Sequence, residues 1–379
     1  MIHKALTSLL AGLFSLTIAL PAMALDTPAK QALLYDLSTG TVLLDKNADQ
    51  TMPPSSMSKL MTVLMVFDRL AEGSLSLDDK LVVSQKAWKK GGSKMFVMVD
   101  SQVRVEDLLR GIIVQSGNDA CIVIAEGLAG SEEAFAAQMN DRAKELGLTG
   151  SHFANATGWP HPDHYVTAHD LGKIAEYLIT EHKQFYAMFA EKEFEWAGIK
   201  QGNRNPVLYK NIGADGLKTG HTEAAGYGLT ASAERDGRRV ILVVNGLKSV
   251  RERTSESTRL LGWAFREFRN YSLFEAGESV READIWLGQD TTVPLVVPQD
   301  LTLTLKRTAR ARMKVTAQYV APIPAPVVEG QRVGTLTVTA PDMEPIELPL
   351  LAGKTVHQLG AVGRLKAAFN YLLWGASTN

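Results

Sequence analysis

Residues 54–61 read Pro-Ser-Ser-Met-Ser-Lys-Leu-Met, and this stretch holds the only Ser-x-x-Lys pattern in the chain. The residues that follow, 62–70, are apolar on almost every side, which predicts a buried helix. Lys59 is the only charge in the first three turns, and a buried ammonium needs a partner or a lowered pKa. Ser56 lies three residues before Lys59, so the two side chains share one face of the helix.

Ser56 and Lys59 together have the chemistry of an acyl-transfer site. Pro53 and Pro54 place Ser56 at the start of the helix, where backbone N–H groups have no partner within the helix. A hydroxyl, an adjacent amine and free N–H donors can act as nucleophile, base and oxyanion donor. The alternative is structural: Ser56 would cap the helix, and Lys59 would extend its charged end to solvent.

Length, charge and the first residues limit the class of protein. The 379 residues are enough for two domains, and the formal net charge of −1 gives no indication of a nucleic-acid partner.

Residues 1–24 predict a signal peptide, with a basic start at Lys4, an apolar core at 9–20 and a small-residue cleavage site at 21–24. The alternative, an uncleaved membrane anchor, is disfavoured by the short apolar core. We expect a mature chain that begins at Leu25 and is exported.

Ser116-Gly117-Asn118 joins two runs, residues 105–114 and 119–128, whose apolar pattern predicts helices. A Ser and an Asn at such a joint are held in place by buried neighbours on both sides. In a catalytic site Ser116 would relay a proton to the leaving group, and Asn118 would hydrogen-bond a substrate amide. The alternative is that both residues cap the ends of the flanking helices.

Lys218-Thr219-Gly220 occurs once, before two strand-like runs at 226–233 and 239–246 that predict an antiparallel meander. Lys218 on an edge strand offers a fixed positive charge, Thr219 a hydroxyl, and Gly220 room for another backbone. Together they could hold a carboxylate, with a peptide laid alongside as an added strand. The alternative is an ordinary surface lysine on an edge strand.

A polar, irregular segment at 151–169 raises a different hypothesis, a metal site. Its candidate ligands are His152, His161, Asp163, His164 and His169. These histidines do not follow the i, i+4 spacing of a helical metal site, and no Glu completes a hydrolase pattern. We therefore expect a solvated loop on the rim of the site, with no metal and no organic cofactor.

A β-hairpin is predicted near the start of the chain, at 32–35 and 41–45. In the second half, short β runs between residues 292 and 351 predict a small all-β module. Residues 360–374 predict an amphipathic basic helix, which suits a membrane interface, or alternatively docks on the β module. The predicted units are the signal peptide 1–24, a first domain 25–265, a β-rich domain 272–355 and an amphipathic helix 358–376.

The motifs of Ser56, Ser116 and Lys218 stand in the order found in class A β-lactamases and penicillin-binding proteins. With their flanks at 111–120 (GIIVQSGNDA) and 216–226 (GLKTGHTEAAG), the mature chain resembles the low-molecular-mass D-alanyl-D-alanine carboxypeptidases along essentially its whole length. The resemblance implies an α/β, β-lactamase/transpeptidase-like catalytic domain, with an antiparallel sheet beside a helical lobe and the nucleophile between them. It also implies peripheral attachment to the periplasmic side of the bacterial cytoplasmic membrane.

The resemblance assigns the roles residue by residue. Ser56 attacks the carbonyl of the D-Ala-D-Ala bond, neutral Lys59 takes its proton, and Ser116 is the third catalytic residue. The substrate-binding residues that it implies are Asn118, Lys218, Thr219, Gly220, Arg204 and His221, the last through its backbone N–H in the oxyanion hole. The expected partners are peptidoglycan stem peptides that end in D-Ala-D-Ala, and β-lactam antibiotics that acylate Ser56 and leave slowly.

Three rival functions stay open at this point. A β-lactamase would need a glutamate to activate the deacylating water, and no clear Glu-x-x-x-Asn equivalent flanks the site; Gly117 also stands where class A β-lactamases carry Asp. A DD-endopeptidase would use the same motifs. A non-catalytic cell-wall binding protein would have a decayed site. The sequence does not indicate the preferred third residue of the stem peptide.

Overall fold

The computed structural model describes residues 25–374, so the predicted signal peptide at 1–24 lies outside the described residues, as does the end of the predicted tail at 375–376. A five-stranded antiparallel sheet forms the centre of the first half. Its strands are β1 Gln31–Asp36, β2 Val42–Lys46, β7 Ala214–Thr222, β8 Gly226–Arg235 and β9 Arg238–Leu247. They lie in the order β2-β1-β9-β8-β7. The predicted hairpin and meander are therefore confirmed, and β7 is an edge strand.

Nine helices lie in the described part of the chain. They are α1 Lys59–Ala71, α2 Gln85–Lys89, α3 Val105–Ile113, α4 Asn118–Ala129, α5 Glu132–Glu145, α6 Ala168–Thr180, α7 Lys183–Tyr186, α8 Val250–Glu267 and α9 Ala361–Trp374. Two short hairpins accompany them: β3 Lys80–Val82 with β4 Gln102–Arg104, and β5 Glu193–Trp196 with β6 Ile199–Gly202.

The central sheet is buried on both faces because the middle of its inner strands is apolar at successive positions, as at 240–244 of β9. Side chains alternate between the faces of a strand. Leu33 therefore packs into the core of the helical lobe, whereas its neighbour Leu34 packs on the other side, in the cluster that contains Leu260 and Leu261 of α8. The result is three layers, with the helical lobe and α8 on opposite faces of the sheet.

The second half of the chain forms a β module with a core of its own. Its strands are β10 Phe268–Phe274, β11 Ser279–Trp286, β12 Thr292–Val296, β13 Leu301–Lys306, β14 Lys314–Tyr319, β15 Ile323–Pro324, β16 Arg332–Thr339 and β17 Ile346–Ala352. Six of them form one sheet, in the order β14-β16-β17-β12-β11-β15, and β10 pairs with β13. The predicted fold class, a β-lactamase/transpeptidase-like α/β domain followed by an all-β module, is confirmed.

Asp36 joins the two halves. Its carboxylate is 0 % exposed, accepts the Arg238 Nε–H at 2.6 Å and accepts the Asn270 side-chain amide at 3.2 Å. A second link joins the hydroxyls of Thr39 and Thr304 at 2.6 Å. Because a buried carboxylate must keep its partners, these contacts fix the β module to the end of the central sheet.

The predicted terminal helix is present as α9. Its apolar side chains Val362, Leu365 and Phe369 are 84 %, 76 % and 61 % exposed. Within residues 25–374, no helix combines the length and apolar character needed to cross a membrane.

Candidate active site

The Ser-x-x-Lys stretch lies where the central sheet meets the helical lobe. Residues Ser55–Ser58 form one 3-10 turn, and α1 begins at Lys59. Two close backbone approaches hold this turn. A Cβ on Gly220 would lie 2.6 Å from the Ser55 Oγ, and a Cβ on Gly158 would lie 1.8 Å from the Ser55 carbonyl oxygen. Glycine is therefore required on both sides of the turn. The close approach at Gly220 is made by this turn, whereas the sequence pattern predicted that of a bound peptide.

Lys59 is completely buried, with 0 % of the residue exposed. Its Nζ donates to the Ser56 Oγ at 2.9 Å, the Asn118 Oδ1 at 2.8 Å and the Thr157 carbonyl oxygen at 2.6 Å. These three acceptors satisfy the three N–H donors of an ammonium. Lys59 therefore does not extend to solvent, and the structural alternative for this residue is wrong.

The partners of Lys59 also determine what its neutral form can do. A neutral amine has two N–H donors and one lone pair. The Asn118 amide is oriented by its own donation to the Gly91 carbonyl at 2.9 Å, so its oxygen faces Lys59 and can only accept. The Thr157 carbonyl can likewise only accept. Of the three partners, Ser56 alone has a proton to give to the lone pair.

The environment lowers the pKa of Lys59. Burial is the largest cause, and the positive charges of Arg204 and Lys90 act in the same direction, so that the pKa falls to about 8. An unperturbed lysine side chain has a pKa of about 10.4. The lower pKa raises the fraction of Lys59 that is neutral near physiological pH, and a general base must be neutral to accept a proton.

One wall of the site is built around Asn118 and Asp119, the first two residues of α4. The Asp119 carboxylate accepts the backbone N–H groups of Met95 and Phe96, each at 2.8 Å, and is 0 % exposed. The Asn118 backbone N–H donates to the Ser93 carbonyl at 2.8 Å. Because these bonds tie the loop at 91–97 to α4, the wall is held rigidly beside Lys59.

A second wall comes from the segment at 151–166. The Asn155 side chain accepts from the backbone N–H groups of Thr157 and Trp159, which shapes the turn that carries the Thr157 carbonyl to Lys59. The Ser58 Oγ and the His164 Nε2 are 2.8 Å apart and join this segment to the catalytic turn. Burial is the main cause that lowers the pKa of His164 to about 4, so its imidazole is neutral at pH 7. The segment is therefore part of the site as well as its rim.

The histidines of this segment have separate partners. His152 contacts the Asp163 carbonyl, and His169 contacts Asp49 and Asp45. Within residues 25–374, no group of three or more His, Cys, Asp or Glu side chains is arranged to hold a metal ion.

The third wall is the edge strand β7. Lys218 and Thr219 are 2 % and 5 % exposed, so the alternative of a surface lysine is wrong. The Lys218 Nζ donates to the Thr219 carbonyl at 3.2 Å. His221 is exposed and stacks on Tyr227 with the ring centroids 3.9 Å apart. The imidazole is thus directed onto a neighbouring ring.

Positive charge accumulates around the site. Burial, followed by the charges of Lys59 and Arg204, holds the pKa of Lys218 well below its usual range. Arg253 of α8 is 6 % exposed, and its Nε–H has no hydrogen-bond partner among the described residues. Within that same part of the chain, none of these four cations forms an ion pair with a carboxylate. Such a cluster favours binding of an anion.

The three walls enclose a cleft of about 530 Å³. Ser56, Asn118 and His221 line it directly, and the Arg204 Nη1 donates to the Ser93 Oγ at its edge.

Ser116 is 1 % exposed and has a φ of 60°, a left-handed conformation that is uncommon outside glycine. Its hydroxyl makes no hydrogen bond to Ser56 or Lys59 among the described residues. The structure therefore brings Lys59 into direct contact with Ser56 and Asn118. Ser116 precedes α4 and is not part of this set of hydrogen bonds among the described residues.

Sequence reasoning missed three contributors to the site. The Thr157 carbonyl is a backbone group, for which a sequence carries no signal. Asp119 follows the Ser-x-Asn motif directly and is a single acid at the start of an apolar helix. An acid in such surroundings indicates a buried carboxylate with hydrogen-bond partners. Arg253 lies on α8, whose first turn carries the capping pattern Ser-x-x-Glu at 249–252, with the Ser249 Oγ accepting the Glu252 N–H at 3.0 Å.

The fold and the site, in which a buried lysine contacts a serine hydroxyl, together indicate a serine-type hydrolase. Residues 18–249 match the serine peptidase family described as D-alanyl-D-alanine carboxypeptidase, and residues 268–358 match the C-terminal domain of penicillin-binding protein 5. The chain belongs to the D-alanyl-D-alanine carboxypeptidase family.

Similar proteins agree with this family. The D-alanyl-D-alanine carboxypeptidase DacC of Escherichia coli is 35 % identical over 364 residues, which cover 93 % of this chain and 91 % of that protein. The crystal structure of the D-alanyl-D-alanine carboxypeptidase DacD from Francisella tularensis has a TM-score of 0.77 at 31 % identity and covers 88 % of this chain and 95 % of that one.

A second similar structure contains an antibiotic. A penicillin-binding protein of Listeria monocytogenes in its ampicillin-bound form has a TM-score of 0.59 at 30 % identity. It covers 64 % of this chain and 99 % of that one.

We predict that Asp119→Ala destabilises the protein and slows acylation. The substitution leaves the buried N–H groups of Met95 and Phe96 without an acceptor, at a cost of roughly 2–4 kcal/mol. Thermal unfolding followed by circular dichroism should show a lower midpoint, and a fluorescent penicillin should report slower labelling. Asp141→Ala is the matched control, because the Asp141 side chain is 72 % exposed. A midpoint equal to that of the control would contradict the structural role of Asp119.

Proposed function

We propose that the chain removes the terminal D-alanine from peptidoglycan stem pentapeptides through an acyl-enzyme on Ser56, and that penicillins acylate the same hydroxyl. The observation that carries the proposal is the Lys59 Nζ, buried and 2.9 Å from the Ser56 Oγ, with two further partners that can only accept. Membership of the carboxypeptidase family supports the substrate, and the ampicillin-bound relative supports the reaction with β-lactams.

Acylation begins with proton transfer from the Ser56 hydroxyl to the lone pair of neutral Lys59. The Ser56 Oγ bonds to the carbonyl carbon of the D-Ala-D-Ala peptide bond, and the backbone N–H groups of Ser56 and His221 stabilise the oxyanion. The C–N bond then breaks, and the departing amine of D-alanine takes a proton from Lys59, with the Ser116 hydroxyl as relay. Water, activated by Lys59, hydrolyses the ester and restores Ser56. With a β-lactam the opened ring stays attached, so the adduct lasts.

The carboxylate of the terminal D-alanine would bind in the cationic part of the site. Lys218 supplies a buried charge, Thr219 a hydroxyl, and Arg204 a guanidinium at the edge of the cleft. A substrate carboxylate would be the first anion to join this cluster among the described residues, and charge-assisted hydrogen bonds of this kind are strong. The peptide backbone would lie along the free edge of β7 as an additional strand.

The location and the domain division are part of the same proposal. The substrate lies outside the cytoplasm, so residues 1–24 would direct export and the mature chain would act on the periplasmic side of the membrane. Residues 25–265 would form the catalytic domain and 272–355 the β-rich domain. The amphipathic helix at 358–376 would attach the protein peripherally, which the exposure of Val362, Leu365 and Phe369 supports.

The nucleophile is tested by intact mass and by D-alanine release. After mixing with a penicillin, the mature protein should show a lasting adduct, and Ser56→Ala should show none. Release of D-alanine from a pentapeptide should fall at least about 10³-fold in Ser56→Ala. Ser55→Ala, in the same turn, is the matched control and should keep the adduct, because the Ser55 Oγ has no hydrogen-bond partner among the described residues. Release by Ser56→Ala at the parent rate would refute the mechanism.

The pH dependence of acylation tests the role of Lys59. The neutral amine is the active form, and the pKa of Lys59 is lowered to about 8. The labelling rate constant with a fluorescent penicillin should therefore rise with pH below this value, about tenfold per unit at its steepest, and level off above it. Circular dichroism at each pH would control for unfolding. A rate constant independent of pH between about 6 and 10 would contradict this assignment.

Membrane attachment is tested by fractionation. A chain that ends at Gly360 should move to the soluble fraction, whereas the full mature chain should stay with membranes. A full-length variant with Leu365→Ser and Phe369→Ser separates the apolar contribution from the loss of length, and it should also become soluble, because the exposed apolar side chains supply much of the binding energy. Equal retention of all three proteins would show that the helix is not the anchor.

A further inference from the structure

A wholly apolar segment lies at one edge of the β module. Residues 320–328 read Val-Ala-Pro-Ile-Pro-Ala-Pro-Val-Val and contain no polar or charged side chain. They include β15, an edge strand of the six-stranded sheet. Val320 and Val328, at the two ends of the segment, are 77 % and 60 % exposed. We call residues 320–328 the apolar edge. A continuous apolar surface of this kind indicates a contact with another apolar phase.

The apolar edge has an inner and an outer side. Ile323, Ala325 and Val327 are at most 8 % exposed, so the inner side is anchored in the folded module. The residues that alternate with them or precede them are exposed, and they belong to the outer side together with the two terminal valines: Ala321, Pro322, Pro324 and Pro326. The outer side therefore presents only valine, alanine and proline side chains.

The backbone of the apolar edge has few free donors. Three of its nine residues are prolines, which lack an N–H group. The N–H groups of Ala325 and Val327 donate to the carbonyls of Trp286 and Val356, each at 2.9 Å, and that of Val328 donates to a glutamine side chain at 3.1 Å. Transfer of the segment out of water therefore leaves few N–H groups unpaired. The prolines also prevent pairing with a further strand, which disfavours a second copy of the sheet as the occupant.

The apolar edge lies beside the origin of α9. Val327 and Val356 exchange two backbone hydrogen bonds, at 2.9 and 2.8 Å, and the Leu359 N–H donates to the Leu287 carbonyl at 2.9 Å. The helix begins at Ala361, five residues after Val356, and five residues of chain span at most about 18 Å. The exposed apolar side chains of α9 therefore follow the apolar edge at the same end of the β module.

The first half of the chain joins the opposite end of the module. Phe268, the first residue of β10, is paired with Lys306, whose Nζ is 2.8 Å from the Asp342 carboxylate. Asp342 lies in the loop before β17, and β17 runs from this loop to Ala352, four residues before Val356. The apolar edge and the start of α9 therefore lie at the end of the module that is remote from the active site.

The charges at this end suit an anionic surface. After β17 the chain carries Lys354, Arg364 and Lys366 and no Asp or Glu. Lys354 is paired with Asp290 at 2.9 Å, whereas Arg364 and Lys366 are exposed. Anionic lipid headgroups attract such cations. Glu329 is exposed directly after the apolar edge, and a carboxylate at this point limits insertion to the interface of a bilayer.

We propose that the apolar edge inserts into the interface of a bilayer that contains anionic lipids, as a second contact beside α9. The apolar edge is part of the folded module, whereas α9 follows the module through a single connection. Two contacts at one end fix the tilt of the β module on the membrane, which one helix does not. This inference rests on the membrane attachment proposed above and adds a second surface to it.

The test measures co-sedimentation of the full mature chain with vesicles of phosphatidylethanolamine and phosphatidylglycerol. Val320→Asp and Val328→Asp, made separately, should each lower the partition coefficient at least about tenfold, because each places a carboxylate in the apolar contact. The conservative variant Val320→Leu should bind at least as well as the parent. Val315→Asp is the matched control, because Val315 is 40 % exposed on β14, outside the apolar edge, and it should bind like the parent. Circular dichroism and penicillin labelling should be unchanged in every variant.

An environment-sensitive fluorophore measures direct contact. Val328→Cys labelled with a nitrobenzoxadiazole dye should show a blue shift and stronger emission when these vesicles are added, and Val315→Cys with the same dye should show neither. The native Cys121 is 0 % exposed and does not compete for the dye in the folded protein. Vesicles of phosphatidylcholine alone should produce a smaller response at position 328, because they lack anionic headgroups.

Each failure has a separate meaning. If both aspartate variants bind like Val315→Asp, or if emission at position 328 does not respond to vesicles, the inference is wrong, and attachment through α9 keeps its own test. A dimer that forms without vesicles and is lost in Val320→Asp would replace the membrane by a second copy of the chain. No vesicle binding by the parent, with an intact penicillin adduct, would overturn this inference and the membrane attachment and leave the acyl-enzyme on Ser56.

Discussion

The burial of one amine, the Lys59 Nζ, is the constraint on which the rest of the site depends. An ammonium without water must find hydrogen-bond acceptors or lose its proton. The fold supplies three acceptors from parts of the chain that are far from one another in sequence, at Ser56, Asn118 and Thr157. Burial of Lys59 lowers its pKa to about 8. Each acceptor needs a support of its own, which explains why the catalytic turn, α4 and the segment at 151–166 are packed so tightly against one another.

The same burial accounts for the excess of positive charge in the site. Lys59, Lys218 and Arg253 are nearly inaccessible to solvent, and none of them pairs with a carboxylate among the described residues. Asp119, the buried acid beside Asn118, is occupied by backbone N–H groups. The site therefore has positively charged groups without a counter-ion, which favours binding of an anion. Buried charges without a counter-ion lower the stability of the fold, as is common for a site that is preorganised for binding.

Elements with a strong local signal were predictable, and elements whose burial is decided by their neighbours were not. The helix after Lys59, the meander of β7 to β9 and several short strands of the β module follow from apolar periodicity. In contrast, α5, α8 and the strands β10 and β11 were not predicted. The α8 sequence at 250–267 is rich in charge, and only its packing on the central sheet, through Leu260 and Leu261, makes one face a core surface.

The sequence by itself determined the reactive groups and their local relation: Ser56 and Lys59 three residues apart on one helical turn, Lys218 on a strand, and the order of the motifs. Local spacing fixes such pairs because a helix has a set number of residues per turn. Only the tertiary structure decided which distant groups meet them. The bond from Lys59 to the Thr157 carbonyl and the bonds from the Met95 and Phe96 N–H groups to Asp119 depend on long-range packing. A backbone carbonyl or N–H group has no residue type from which a sequence could predict its partner.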